Sequence, residues 1–218
     1  NELRADPPCG VRGGFIADEM GLGKTILMIG LMYSNFVPHT LIIVPPILID
    51  QWTLQIYKTT GHKALIYHGD KKKTITLQQL STAPIVISTY GAIGISKKSQ
   101  DLTMLHKVSW ERIIFDEAHH LRNHKTTLYM GARLLPTKIK WLVSGTPVQN
   151  SKKDLYSLCA LIGLPASFYT DSSNLTLLAR SFILKRTKKQ VGVIISDIHV
   201  DNSLVNWTSQ KEMDLSQE

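Results

Sequence analysis

The sequence predicts an α/β fold, a mostly parallel sheet flanked by helices, and three observations predict it. Short apolar runs alternate with polar or amphipathic ones through residues 13–162, the signature of parallel strands joined by covering helices. Asp18-Glu19-Met20-Gly21-Leu22-Gly23-Lys24-Thr25 stands between an apolar strand and an apolar helix. That is where such a sheet presents closely spaced backbone N–H groups at a helix N-terminus, the requirement for holding a phosphate. Asp116-Glu117 closes a second apolar strand, which delivers two carboxylates to the end of the sheet where ligands bind.

The elements follow in order. Strands are expected at 14–17, 40–44, 64–67, 85–89, 112–115 and 139–144, where β-branched and apolar residues run without interruption. Helices are expected at 25–33, 47–59, 73–80, part of 91–96, 126–134 and 153–162, with a short one within 101–107. Pro45-Pro46 stops the second strand and opens the next helix, as proline does at a first turn. Leu48, Trp52 and Ile56 are spaced by four and form that helix's inward stripe. Beyond Gly163 the pattern loosens. Leu164 to Tyr169 reads as a turn with an aromatic anchor, and Leu175, Leu178, Ala179 and Phe182 share one face of a helix over 175–184. The basic run Lys185-Arg186-Thr187-Lys188-Lys189 is either the solvated C-terminal end of that helix, favoured by its dipole, or a surface for nucleic acid or a partner. The expected division is a lead-in at 1–12, a nucleotide lobe at 13–162, a helical and basic follower at 163–200, and an acidic linker at 201–218.

Composition narrows the classes. The 218 residues, 43% of them hydrophobic, suffice for a real core. Twenty-five Lys and Arg against seventeen Asp and Glu give +8, a balance compatible with a polyanionic partner. Residues 201–218 hold four acids and one lysine, leaving that tail at −3 and residues 1–200 at +11. Cys9 and Cys159 are far apart and have no metal-ligand rhythm, so neither a disulfide framework nor a zinc site is expected. His119, His120 and His124 are close together but lack suitably spaced cysteines. No apolar stretch is long enough to cross a bilayer and the start is unlike a secretory signal; neither a membrane partner nor secretion is expected.

The chemistry of the two acid- and glycine-bearing segments is specific. Glu19, Met20, Gly21, Leu22, Gly23, Lys24 and Thr25 are the candidate nucleotide-binding residues: Gly21 and Gly23 allow the turn, Lys24 reaches the β and γ phosphates, and the Thr25 hydroxyl is offered to Mg²⁺. Asp18 stands where the general phosphate-loop pattern has glycine. Of the two carboxylates, Asp116 would hold Mg²⁺ through water and Glu117 would orient or deprotonate an attacking water. Lys24, Asp116 and Glu117 are thus the candidate catalytic residues, with a nucleotide and Mg²⁺ as their ligands; the choice of ATP rests on the resemblance that follows.

The succession GGFIADEMGLGKTI at 13–26, LIIVPPILIDQW at 41–52, VISTY at 86–90, IIFDEAHHLRN at 113–123, LVSGTPVQN at 142–150 and FILKRTKKQV at 182–191 resembles the SNF2-type branch of superfamily 2 helicase-like ATPases. Among its groups it is most similar to the Rad5- and HLTF-like one or to a viral relative. The resemblance implies the first of two RecA-like P-loop NTPase lobes, with the second lobe expected elsewhere in a longer parent chain. It implies ATP hydrolysis coupled to movement along double-stranded DNA, with nucleosomes or other DNA-bound proteins as targets, and a nuclear location, or a cytoplasmic one in a virus or prokaryote. His119, Ser144, Gly145 and Thr146 would couple nucleotide to DNA and to the other lobe. Pro46, Thr89, Tyr90, Gln149 and Asn150 would lie at the DNA. Read from the residues themselves, Thr89 is open between strand-end capping and phosphate contact, Tyr90 between a packed aromatic and a ligand residue, and Trp52 is a core anchor.

Two departures from the family pattern stand out. Only a short lead-in precedes Gly13, where the family places the segment that contacts adenine, and His120-Leu121-Arg122-Asn123 replaces the usual Arg, apolar, Lys, Asn. A strand-separating DNA or RNA helicase and a non-catalytic scaffold are the competing functions.

Overall fold

The computed structural model describes residues 2–95, 101–145 and 152–193. Seven strands form one sheet in the order β3-β4-β2-β5-β6-β1-β7, and every adjacent pair is parallel. They are β1 (Arg12–Ile16), β2 (Thr40–Val44), β3 (Leu65–Tyr67), β4 (Ile85–Thr89), β5 (Trp110–Asp116), β6 (Thr137–Val143) and β7 (Ile183–Leu184). The α-helices are α1 (Lys24–Ser34), α2 (Ile49–Thr60), α3 (Leu77–Thr82), α4 (Tyr90–Ile93), α5 (Thr127–Leu134), α6 (Lys152–Ile162), α7 (Ala166–Tyr169) and α8 (Leu175–Phe182).

The strands are apolar on both faces because both faces are covered. Side chains alternate along each strand, so Leu41 and Ile43 of β2 with Ile113 and Phe115 of β5 enter one core, beside Tyr129 of α5, Leu158 and Leu161 of α6, and Leu178 and Phe182 of α8. Ile42 and Val44 with Ile114 and Val143 enter the other, against Met28, Ile29 and Met32 of α1 and Trp52 and Ile56 of α2. The predicted stripe of α2 is therefore inward, with Leu48 only partly buried at its start. Each burial of a large aliphatic side chain contributes roughly 1.5–3 kcal/mol, which explains why a run such as Leu41–Val44 is legible as a strand.

Six predicted strands and most helices stand within a few residues of their expected places. The differences have local causes. Pro46–Leu48 is a 3₁₀ turn before α2 rather than its first turn. Residues 69–73 also form a 3₁₀ turn, and α3 starts only at Leu77, where Thr76 and Gln79 exchange side-chain and backbone hydrogen bonds in a capping box. The short helix expected within 101–107 is a 3₁₀ turn at Met104–Lys107. The helix expected to run through 184 ends at Phe182, and Ile183–Leu184 instead pairs with Phe15 and Ile16 of β1. On α8, Leu178 and Phe182 are buried, Leu175 is half-buried and Ala179 is exposed. Gly14 permits the pairing of β7: a Cβ there would stand 2.6 Å from the Phe182 carbonyl oxygen.

The basic run after β7 is therefore not the end of a helix, and its Lys185 and Lys189 are exposed. Arg186 forms an ion pair with the fully buried Asp18.

Candidate nucleotide-binding site

The ligand side of the sheet is its C-terminal edge, where β1, β5 and β6 end side by side. Residues 17–23 leave β1 and turn into α1, with Gly21 at φ 85° and Gly23 at φ 72°, left-handed values that a glycine adopts without a Cβ clash. Met20, Gly21, Gly23, Lys24 and Thr25 line a cleft of about 380 Å³ with Ile26, Leu48, Gln51, Gln55, Asp116 and Glu117. The candidate phosphate, metal and water-activating residues thus share one hollow, although Lys24 and Glu117 are separated by 93 positions in sequence. The Lys24 Nζ donates to the Asp18 carbonyl at 3.1 Å and the Glu19 carbonyl at 3.3 Å, folded back on its own loop.

Asp116 ends β5 and is buried. Its two oxygens are oriented separately: Oδ2 accepts from the indole Nε1 of Trp52 at 2.7 Å, and Oδ1 from the Glu117 N–H at 2.9 Å. Burial raises its pKa above the ordinary aspartate value; the Trp52 and Glu117 hydrogen bonds pull it back, the Glu117 charge raises it and the Lys24 charge lowers it. Glu117 follows in a left-handed backbone, φ 51°. A non-glycine residue there costs roughly 1–3 kcal/mol and persists only when its surroundings hold it. Its Oε2 lies 3.0 Å from His119 Nδ1, and the same nitrogen lies 3.4 Å from the Ser144 hydroxyl. The His119 imidazole therefore stands between the acid pair and the end of β6. Ser144 in turn donates its N–H to the Ile16 carbonyl, and a Cβ on Gly145 would meet Met20 at 3.3 Å and the Lys24 amine at 3.6 Å. His120 stacks obliquely beside His119 and Tyr90, and burial followed by the charge of His119 lowers its pKa.

The residues expected at DNA separate. Pro46 is exposed beside Ile47 on the turn that opens α2. Thr89 and Tyr90 are buried: the Thr89 hydroxyl is 3.3 Å from His68 Nδ1, and the Tyr90 hydroxyl donates to the Asp116 carbonyl at 2.6 Å. Of the two readings open for Tyr90, this geometry is that of the packed aromatic: its one hydroxyl proton holds the acid-bearing strand end, and burial pushes its pKa well up. Thr146, Gln149 and Asn150 lie outside the described residues.

Sequence reasoning missed two participants. Trp52 was assigned to the core, which is correct for its rings; its indole N–H, however, orients a site carboxylate 64 positions away. Asp18 was noted only as a departure from the loop pattern, yet it is the anchor of Arg186. Only the unexpected acid at that position hinted at the second.

A parallel α/β sheet with a phosphate loop after β1 and an acid pair after a neighbouring strand defines a nucleotide-binding P-loop domain. The profile of the SNF2-related domain matches residues 6–171, and the chain belongs to that family. Similar relatives are the DNA repair protein RAD5 of Candida albicans, 35% identical over 71% of this chain and 17% of its own length, and the DNA repair protein rad8 of Schizosaccharomyces pombe, 33% identical over 67% and 16%. Among solved structures, the Sulfolobus solfataricus SWI2/SNF2 ATPase core in complex with double-stranded DNA superposes with a TM-score of 0.66 at 25% identity, covering 84% of this chain and 42% of that one. The chain spans about a sixth of the length of those two repair proteins.

Proposed function

We propose that this chain is the ATP-binding lobe of a double-stranded-DNA-dependent ATPase that translocates on its duplex and remodels protein–DNA assemblies. The observation that carries the proposal is the convergence of Lys24, Thr25, Asp116 and Glu117 on one cleft at the carboxyl edge of the sheet. Its support outside the site is the family and the likeness to a core solved with DNA.

Each residue has a role in the hydrolysis of ATP to ADP and phosphate. Lys24 exchanges the carbonyls of Asp18 and Glu19 for the β and γ phosphates and offsets their charge. The turn at Gly21 and Gly23 aims backbone N–H groups at the same oxygens. Glu117 takes the proton of the water that attacks the γ phosphorus, as the P–O bond to ADP breaks, and His119 holds the Glu117 carboxylate in place. The Thr25 hydroxyl and the Asp116 carboxylate form an oxygen donor set suited to a hard divalent cation. Bound Mg²⁺ would neutralise phosphate charge there. Ser144 and Gly145, packed on the loop and on His119, carry the state of the nucleotide toward residue 146 and beyond, where Thr146, Gln149 and Asn150 would meet DNA or the second lobe. That lobe, in the same polypeptide, would supply the arginines that phosphoryl transfer requires. In this reading residues 13–162 are the body of the lobe, and the follower from 163 completes it, since α8 packs in its core and β7 joins its sheet. DNA-bound proteins, including nucleosomes, are the proposed targets, in the nucleus or in the cytoplasm of a virus-infected or prokaryotic cell.

The test is ATP hydrolysis by the full-length protein with no nucleic acid, single strands, duplex DNA and RNA, beside Lys24→Ala. Duplex-specific stimulation that Lys24→Ala abolishes is the expected result. Equal stimulation by RNA or single strands, with strand displacement, would replace translocation by unwinding; unchanged turnover in Lys24→Ala would sink the site.

A further inference from the structure

The phosphate loop is clamped from behind by a segment that joins the sheet 168 positions later. The Ala17 N–H donates to the Leu184 carbonyl at 2.7 Å, the Glu19 N–H to the Arg186 carbonyl at 3.1 Å, and the Lys188 N–H to the Glu19 carboxylate at 2.8 Å. Between these contacts lies Asp18, with 0% of its surface exposed. Its Oδ1 accepts from the Arg186 backbone N–H at 2.8 Å, and the Arg186 Nε lies 3.2 and 3.1 Å from the two oxygens while Nη2 donates to Oδ2. A carboxylate taken out of water is costly unless it is paired and hydrogen-bonded, and here one arginine supplies all of those donors.

Lys24 touches the backbone of the same two residues. Its amine rests on the Asp18 and Glu19 carbonyls, so the backbone that receives the phosphate lysine is the backbone the arginine fixes. Farther along the loop, the end of the Lys188 side chain lies over Gly21: a Cβ there would be 3.5 Å from Cε and 3.8 Å from Nζ. The acid that replaces glycine in the loop pattern therefore has a use. It is the docking point for a strap.

We propose that residues 183–188 form a strap that sets the geometry of the phosphate loop, and that Arg186 is a positioning residue for the binding of a nucleoside triphosphate. The proposal rests on the reading of the Lys24 loop as an ATP site. It makes nucleotide affinity depend on the position of the chain after β7: pulling Arg186 away unpairs Asp18 and loosens the carbonyls beneath Lys24, while a seated strap keeps the loop ready. By linkage, bound nucleotide must hold the strap in place as strongly as the strap favours nucleotide.

The experiment measures KM and kcat for ATP in the full-length protein at saturating duplex DNA, together with the nucleotide-free melting temperature. Arg186→Lys keeps the charge and loses the planar fork. The pair Asp18→Asn with Arg186→Gln removes both charges together, which avoids leaving a buried carboxylate unpaired. Each is expected to raise KM about tenfold with kcat within about threefold and little change in melting temperature. KM at the wild-type value in both variants overturns the strap. Amide hydrogen exchange in the unmutated protein gives a second reading that no folding defect can obscure: a non-hydrolysable ATP analogue should slow exchange at Arg186 and Lys188, whose N–H groups bond the loop carboxylates. A wild type that binds the analogue while those amides exchange unchanged overturns the strap alone. A wild type that binds no nucleotide overturns the ATPase reading and the strap with it.

Discussion

Strand β5 carries a buried ionisable residue at each end of the sheet, and the two are treated in opposite ways. Arg112, near the amino edge, is sealed: its guanidinium pairs with the buried carboxylate of Glu2 and donates to the Asn35 carbonyl, and the same carboxylate accepts from the Asn35 amide and the Trp141 indole. Asp116, four residues on at the carboxyl edge, accepts from neutral donors among the described residues, Trp52 Nε1 and a backbone N–H. One end cancels charge against charge. The other orients a charge without cancelling it, and burial leaves that carboxylate with a raised pKa. In the proposed ATPase the Asp116 carboxylate would face Mg²⁺, and an arginine there would occupy it; a structural seam has no such constraint.

Substitutions at each edge of the sheet test this contrast. The largest effect is expected at the carboxyl edge from Glu117→Gln, which keeps the size of the side chain but cannot take a proton. ATP turnover should fall about 10²–10⁴-fold while nucleotide still binds; loss of binding instead would make Glu117 a structural residue and remove the contrast. At the amino edge, Arg112→Met should leave Glu2 as an unpaired buried charge and cost about 3–5 kcal/mol of stability in denaturant titration. Adding Glu2→Gln should recover a good part of that loss, and nucleotide affinity of the folded fraction should stay unchanged.

The subtlest test is Trp52→Phe, which removes the indole donor from Asp116. Loss of packed volume costs about 2 kcal/mol. The acid limb of kcat/KM should also move to higher pH, because a hydrogen bond that lowers the Asp116 pKa is gone. The sign is set by the raised folded value: ionised Asp116 disfavours the native state above its folded pKa, and the penalty disappears as pH falls through it. Trp52→Phe enlarges that penalty at neutral pH. An unmoved pH profile would show that the indole only fills space.

Local pattern determined much of this molecule. Uninterrupted apolar runs such as Leu41–Val44 and Ile113–Phe115 gave strands buried on both faces, and turn chemistry at Gly21 and Gly23 marked the candidate phosphate loop, since both signals lie within a few residues and report directly on burial and backbone freedom. Lys24, Asp116 and Glu117 were legible because their chemistry travels with those segments. β7 was not legible, because a two-residue strand buries too little to leave a pattern and exists only where Gly14 lets it reach β1. The direction of a buried polar side chain was equally hidden. Tyr90, expected at DNA, turns its hydroxyl to the Asp116 carbonyl; Trp52, expected only in the core, turns its N–H to the Asp116 carboxylate; and Asp18 takes its partner from Arg186. Strands other than β7, most helices and the candidate phosphate loop were legible in the residues alone, because those depend on near neighbours. Which distant donor each buried carboxylate receives was settled by packing, because a desolvated charge takes whatever partner the folded chain brings within hydrogen-bond reach.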